Sequence, residues 1–430
     1  MKVLLIGSGG REHALAWAIH NSRRLSALRV APGNAGISKH AELLDIGAED
    51  IGALVEHAVA ERYDLVVVGP EAPLVAGLSD RLRQAGLAVF GPSAAAARLE
   101  GSKIFAKRFM DRHAIPTAGY RVFDAIDEAR GYLLSGEADY PLVVKADGLA
   151  AGKGVIIAGS PEEAVETAEG MLSGRSFGAA GERMIIEDLL RGREASFFVL
   201  TDGNSFIELV TCQDYKRALD GDRGLNTGGM GTYSPSVYLD DSTRGVIVDA
   251  IVKKTIDGLA EEGTPYQGVL YVGLMLTSDG PKVLEYNARF GDPETQVLMP
   301  RLDGDWLPAL HACAIGSLEE QRLKWKDDAA VCVVMSSGGY PGSYGKGLPI
   351  DGVEEADAME DVVVFHAGTA RDDSGGLVTA GGRVLGVTAL GSDLSEARTR
   401  AYDAVSLIRW EGEHHRSDIA ADALSTMRGS

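Results

Sequence analysis

Cysteine is scarce in this 430-residue chain: Cys212, Cys313 and Cys332 are far apart, odd in number and outside any C-x-x-C pair. They read as free, mostly buried thiols of a reducing compartment, not as a disulfide framework or a nucleophile. Proline contributes only 15 residues and no Gly-X-Y period occurs, which excludes collagen-like and linker-like chains. Long apolar runs are missing as well. The opening Met1–Ile6 stretch meets Gly7 too soon for a signal peptide, and nothing approaches the roughly 18 uncharged residues of a membrane helix. The expected location is the cytoplasm, with no membrane partner. Positive charge is in deficit: Lys and Arg total 42 against 62 Asp and Glu, a net charge of −20. That argues against non-specific nucleic acid and anionic membranes, which are held by a broad positive field. The deficit is uneven, with 10 basic and 11 acidic residues in 1–100, 24 and 36 in 101–330, and 8 and 15 in 331–430. An anionic ligand must therefore be held by local donors.

Glycine is what the chain has in excess, at 54 residues, nearly twice the usual roughly 7%. Its clusters follow the ends of short apolar runs. Residues 2–6, Ala27–Val30, Leu65–Val68 and Ala88–Phe90 read as buried strands ending at Gly or Pro, with helical patterns between them. Strand–helix alternation predicts a doubly wound parallel sheet with ligands beyond the strands' carboxyl ends. After a helix near 103–113, strands are expected at Leu142–Lys145, Val155–Ala158, 183–187, 195–200, 206–211, 269–276 and 282–287, with a helix near 243–262. From 330 onward the chain is strand-rich (330–335, 362–366, 383–388) before a helix near 394–407. The expected fold is thus a multidomain α/β and α+β chain. It would comprise an N-terminal parallel-sheet domain over 1–102, a central domain over 103–328 with a glycine-loop subdomain at about 120–190, and a small strand-rich C-terminal domain over 329–430.

Three motifs carry chemistry. The first loop has Gly7 and Gly9 but Glu12 where a dinucleotide fingerprint needs its third glycine, and the second strand lacks the acidic residue that would hold a ribose. A nicotinamide oxidoreductase is therefore disfavoured. What remains is a glycine loop at a helix N-terminus, suited to a phosphate with Arg11 as a supplement, or an ordinary tight turn. The second loop, Gly148-Leu149-Ala150-Ala151-Gly152-Lys153-Gly154, is one residue short of a P-loop, has Gly154 in place of the Ser or Thr, and leads into a strand. Such a hairpin can close over a triphosphate through its N–H groups and Lys153. Lys145, ending an apolar strand, needs an anion: a ligand or a structural carboxylate. In the strand 283–287, alternation puts Glu285, Asn287 and, if the strand continues, Arg289 on one face, with Leu284 and Tyr286 on the other. Carboxylate and amide oxygens suit Mg²⁺ shared with phosphates, and the guanidinium can neutralise a transferring phosphoryl group. A solvated edge strand is the plainer alternative.

Six segments in order resemble the phosphoribosylamine–glycine ligase family of ATP-grasp enzymes: residues 7–16 (GSGGREHALA), 31–36 (APGNAG), 68–74 (VGPEAPL), 145–155 (KADGLAAGKGV), 226–231 (NTGGMG) and 289–296 (RFGDPETQ). The C-terminal FHAGT (365–369) and GGRVL (381–385) extend the resemblance over nearly the whole chain. It implies the second step of purine synthesis, in which ATP, glycine and 5-phosphoribosylamine give glycinamide ribonucleotide, ADP and phosphate through glycyl phosphate. It also implies Mg²⁺ or Mn²⁺ on Glu285 and Asn287, with ATP as co-substrate held by Lys103, Lys145 and the loop bearing Gly148, Gly152, Lys153 and Gly154. Adenine would lie near Glu187 and the ribose near Glu194. Arg289, Lys145 and Asp292 would serve the reaction. Phosphoribosylamine would meet Gly9, Gly10, Arg11, Glu12, Asn34 and Glu71; Asp214 with Asn226, Thr227, Gly228 and Gly229 would seat glycine. A monomer or weak homo-oligomer is expected. Cys212, Tyr215 and Leu225 depart from the family's more frequent Ser, His and Pro. The runner-up is another ATP-grasp ligase or carboxylase acting on a ribonucleotide.

Overall fold

A computed structural model describes residues 1–149, 154–173 and 183–429. The N-terminal strands β1 (Lys2–Gly7), β2 (Ala27–Pro32), β3 (Glu42–Leu43), β4 (Leu65–Val68) and β5 (Val89–Phe90) form one parallel sheet in the order β3-β2-β1-β4-β5. Val3 to Ile6 and Leu65 to Val67 are fully buried, as continuous apolar runs flanked by helices on both faces should be. The two-residue β3 is too short to carry a period and has no counterpart in the sequence reading.

Two antiparallel sheets follow. One pairs Tyr120–Phe123, Met184–Asp188, Leu142–Ala146 and Val155–Ala158 in that spatial order, so the second glycine loop does join two strands of a hairpin. The other pairs Phe206–Glu208, Arg193–Thr201, Gly268–Thr277 and Gly280–Asn287. The strand expected over 206–211 stops at Glu208. Beyond it the chain crosses to a third sheet, where Gln213–Asp214 pairs with Gly231–Ser234. That sheet continues through Ala329–Ser336, Arg383–Gly391 and Val362–His366, so two strands from the central stretch complete a mainly C-terminal sheet. The expected helix near 243–262 is present, with a π-helical turn at Val248–Val252 between Asp241–Ile247 and Lys253–Glu261. Among the described residues no helix is long and apolar enough to cross a membrane.

One departure from simple alternation shapes the site. Gly273 pairs with Glu285 and Leu274 with Val283, leaving Leu284 unmatched as a bulge. Leu284 therefore does not share the buried face with Tyr286, as strict alternation predicts: Val283 and Tyr286 pack in the core, and Leu284 is half-buried at the cleft. Its freed carbonyl accepts a hydrogen bond from Lys145 Nζ at 3.2 Å.

Candidate active site

A cleft of about 1120 Å³ opens between the three sheets. It collects Lys103, Lys145, Gly148, Gly154, Glu187, Glu194, Asp214, Asn226, Thr227, Gly228, Glu285, Asn287, Arg289, Asp292, Arg11 and Glu71. Gly152 and Lys153 lie outside the described residues. Gly9, Gly10, Glu12, Asn34 and Gly229 do not line it.

The helix Lys103–Arg112 delivers the first lysine. Ser102 caps it by accepting from Phe105 N–H at 3.1 Å, and Asp147 reinforces the cap by accepting from Ile104 N–H at 3.1 Å and from Ser102 Oγ at 2.8 Å. Asp147 belongs to the glycine hairpin, so the same carboxylate ties that hairpin to the helix. Lys103 Nζ donates to Gly148 O at 2.8 Å. Gly148 has φ +136°, a conformation that favours glycine. Burial lowers the Lys103 ammonium's pKa, partly offset by Glu285.

Lys145 is answered inside the protein: its Nζ lies 3.0 Å from Glu187 Oε2, and Lys107 Nζ lies 3.3 Å from the same oxygen. Glu194 pairs with Lys216 at 3.0 Å, so both carboxylates expected around the nucleoside carry lysine partners. Glu285 is different. It makes no hydrogen bond or ion pair among the described residues, and neither does the Asn287 amide. Burial would raise the Glu285 pKa, but Lys216, Lys145, Lys103 and Arg289 together hold it below the usual carboxylate range. An ionised, unengaged carboxylate beside a buried, unengaged amide oxygen is a donor set that fits Mg²⁺ or Mn²⁺.

The expected strand face ends at Asn287, and Arg289 reaches the cleft from the following turn. Its Nε lies 3.3 Å from Glu71 Oε2 and its Nη2 3.2 Å from Glu100 Oε1, while Glu100 Oε2 accepts from Ala288 N–H at 2.6 Å. Asp292 accepts from Gln296 Nε2 at 2.8 Å and lies 3.3 Å from Arg383 Nη2. Burial opposes its charge; Arg383 and Arg11 outweigh that and lower its pKa. Arg383 also donates to the carbonyls of Gly228 and Asp292, each at 2.6 Å, stapling the 226–231 loop to the turn.

Asp214 shares Ser196 Oγ with Glu294, each at 3.4 Å. Burial pushes the Asp214 carboxyl up to about 7, with Glu294 and Glu194 adding to the rise against Lys216. A cation arriving between Asp214 and Glu294 would restore its charge.

In the N-terminal loop the Gly9 N–H already has a partner. Glu12 accepts from Gly9 N–H at 2.7 Å and pairs with Arg11, so the first helix is capped by its own carboxylate instead of presenting that N–H to a phosphate. A Cβ on Gly10 would sit 2.6 Å from Gln296 Nε2. Gly9 and Gly10 thus let the loop pack on the 289–296 segment. Asn34 is also spent on structure: its amide donates to Ser8 O at 2.7 Å and His366 O at 2.9 Å and accepts from Gly36 and Ile37 N–H. Gly229, at φ +115°, allows contact with Pro293, whose Cδ would lie 2.4 Å from an added Cβ. Thr227 Oγ1 donates to Lys216 O at 2.9 Å, which shapes its loop. Of the three departures, Cys212 is buried, Leu225 faces solvent, and the Tyr215 hydroxyl donates to Asp422. Sequence reasoning missed Lys107, Glu100, Lys216, Glu294 and Arg383, each of which touches an expected site residue or shifts its pKa.

Known proteins match along the whole chain. The phosphoribosylglycinamide synthetase family matches as its N domain over residues 1–100, its ATP-grasp (A) domain over 101–295 and its C domain over 330–422. A phosphoribosylamine–glycine ligase from Agrobacterium fabrum is 51% identical over 425 residues, covering 99% of each chain. One from Caldanaerobacter subterraneus is 47% identical over 421 residues, covering 98% of this chain and 100% of its own. The crystal structure of phosphoribosylamine–glycine ligase from Thermotoga maritima matches with TM-score 0.85 and 35% identity, covering 98% of this chain and 100% of that one. A biotin carboxylase from Campylobacter jejuni, with TM-score 0.72, 16% identity and coverage of 96% and 93%, shares the fold alone. The chain belongs to the phosphoribosylglycinamide synthetase family.

Proposed function

We propose that this chain is an ATP-dependent ligase that joins glycine to 5-phosphoribosylamine, giving glycinamide ribonucleotide, ADP and phosphate by way of glycyl phosphate. The observation that carries the reading is a single cleft in which the unengaged Glu285 stands among Lys103, Lys145, Lys216 and Arg289. Relatives with the ligase's name match over 99% of the chain. Lys103 and Lys145 would hold the phosphates, Lys145 leaving Glu187 to do so. Glu285 and Asn287 would hold Mg²⁺ or Mn²⁺, which supplies positive charge to phosphate oxygens when bound. Asp214, with Glu294 beside it, would accept the ammonium of glycine and so aim its carboxylate at Arg289. Arg289 would neutralise the acyl phosphate and the adduct formed when the phosphoribosylamine nitrogen attacks. Arg11, Glu71 and Asp292 line the end of the cleft near Arg289, where that amine would enter. The division at 102/103 and 328/329 and a cytoplasmic location belong to the same reading. With glycine labelled by ¹⁸O in its carboxylate, one label per turnover is expected in inorganic phosphate; unlabelled phosphate would rule out the acyl-phosphate route.

A further inference from the structure

Lys107 lies in the middle of the helix Lys103–Arg112, yet only 2% of it is exposed. It is held by Thr117 Oγ1 at 2.8 Å and Ala118 O at 3.3 Å, with its ammonium over the Tyr120 ring at 5.6 Å. Its remaining contact is Glu187 Oε2, the oxygen that Lys145 also touches. Glu187 is 3% exposed, lines the cleft, and its other oxygen, Oε1, is buried without a partner among the described residues. A buried carboxylate oxygen left open is costly unless something arrives to satisfy it. Met110, Val143 and Leu190 line the cleft too, giving apolar surface for a flat ring.

We propose that Lys107 is a positioning residue for nucleotide selection: it anchors Glu187 Oε2 so that Oε1 stays an acceptor aimed at the exocyclic amine of adenine. This rests on the ATP-ligase reading above, with adenine against Glu187. The division of labour follows from geometry. Lys145 has to leave Glu187 to hold phosphate, and Lys107 is then the cation left on that carboxylate. Without it, Glu187 would be a buried, unpaired charge and would take up a proton. A protonated carboxyl donates a hydrogen bond. It would then accept the 6-oxo group of a hypoxanthine ring, which the ionised carboxylate repels. Lys107 thereby sets which purine the cleft prefers.

The test is kcat/KM for ATP against ITP, read as phosphate release with glycine and phosphoribosylamine, in wild type, Lys107→Met, Lys107→Arg and Glu187→Gln. Wild type should favour ATP at least tenfold. Lys107→Met should lose most of that preference, mainly through KM, and Lys107→Arg should restore it. Should Lys107→Met fail to fold, Lys107→Gln, which keeps a hydrogen-bond donor but carries no charge, decides: it too should lose most of the preference. A folded Lys107→Met or Lys107→Gln that keeps the wild-type ratio within twofold would overturn the proposal. If Glu187→Gln leaves the ratio unchanged, the placement of adenine fails as well; if it alters the ratio while Lys107→Met does not, only the role of Lys107 fails.

Discussion

Replacing Arg289 with Met separates its two jobs. The guanidinium sits between Glu71, whose side chain is 30% exposed, and Glu100, whose side chain is 9% exposed. Removing it leaves Glu100 as an uncompensated buried charge, a loss of about 3–5 kcal/mol of stability; Glu71 adds little because water reaches it. The chemical loss is separate. A donor on developing charge is worth about 2.7–4 kcal/mol, so kcat should fall on the order of 10²–10³-fold. The double variant Arg289→Met, Glu100→Gln tells the two apart, because the glutamine oxygen can still accept the 2.6 Å hydrogen bond from Ala288 N–H without a charge. Urea unfolding should show most of the stability regained in the double variant, while phosphate release stays as slow as in the single one. The sign with pH is fixed too. Burial raises the Glu100 pKa even with Arg289 lowering it. Loss of Arg289 raises it further, so the single variant should be more destabilised at pH 8 than at acidic pH, where protonation of Glu100 relieves the buried charge. A double variant that regains kcat to within tenfold of wild type would refute the chemical role. A single variant as stable as wild type would refute the buried-pair account.

Three further outcomes follow from the same geometry. Because the Asp214 carboxyl titrates near 7 in the free protein, kcat/KM for glycine should fall about tenfold per pH unit below that value. Asp214→Asn should abolish this limb at a much lower rate; a limb that persists would assign it elsewhere. Asn34→Ala should cost about 3 kcal/mol, because buried N–H and carbonyl groups lose their partner, with the KM for phosphoribosylamine unchanged within twofold. A tenfold KM increase at unchanged stability would return Asn34 to the substrate. His13, His40 and His366 cluster where the N-terminal domain meets the third sheet, and burial lowers all three pKa values, to about 4 for His40 and His366. The unfolded chain therefore takes up protons first as pH falls. Stability should be full above about 6.5 and decline toward pH 4, with His366 alone contributing about 3 kcal/mol of the loss. A urea midpoint that is flat over that window would contradict it.

What the sequence makes legible is what local pattern encodes. The alternation of strand 283–287 and the apolar run before Lys145 point to Glu285, Asn287 and Lys145 without tertiary information, and the three sit in one cleft. The bulge at Leu284 escapes, because it depends on how Gly268–Thr277 pairs across the sheet. Lys107 reads as a solvated helix lysine until Glu187, 80 positions away, is folded against it. Glu100 and Arg383 likewise acquire meaning only from Arg289 and Asp292. In the first loop the glycines signal close approach, and local pattern does not say that the protein's own side chains approach: Glu12 accepts from Gly9 N–H, and Gln296 Nε2 would meet a Cβ on Gly10.

The central claim, ligation of glycine to phosphoribosylamine at the expense of ATP, is tested most directly by ADP release from the intact protein with MgATP, glycine and freshly generated phosphoribosylamine. Each of the two substrates is omitted in turn. Sustained ADP formation should require both, with glycinamide ribonucleotide appearing in equal amount. ADP release indifferent to both would contradict the account.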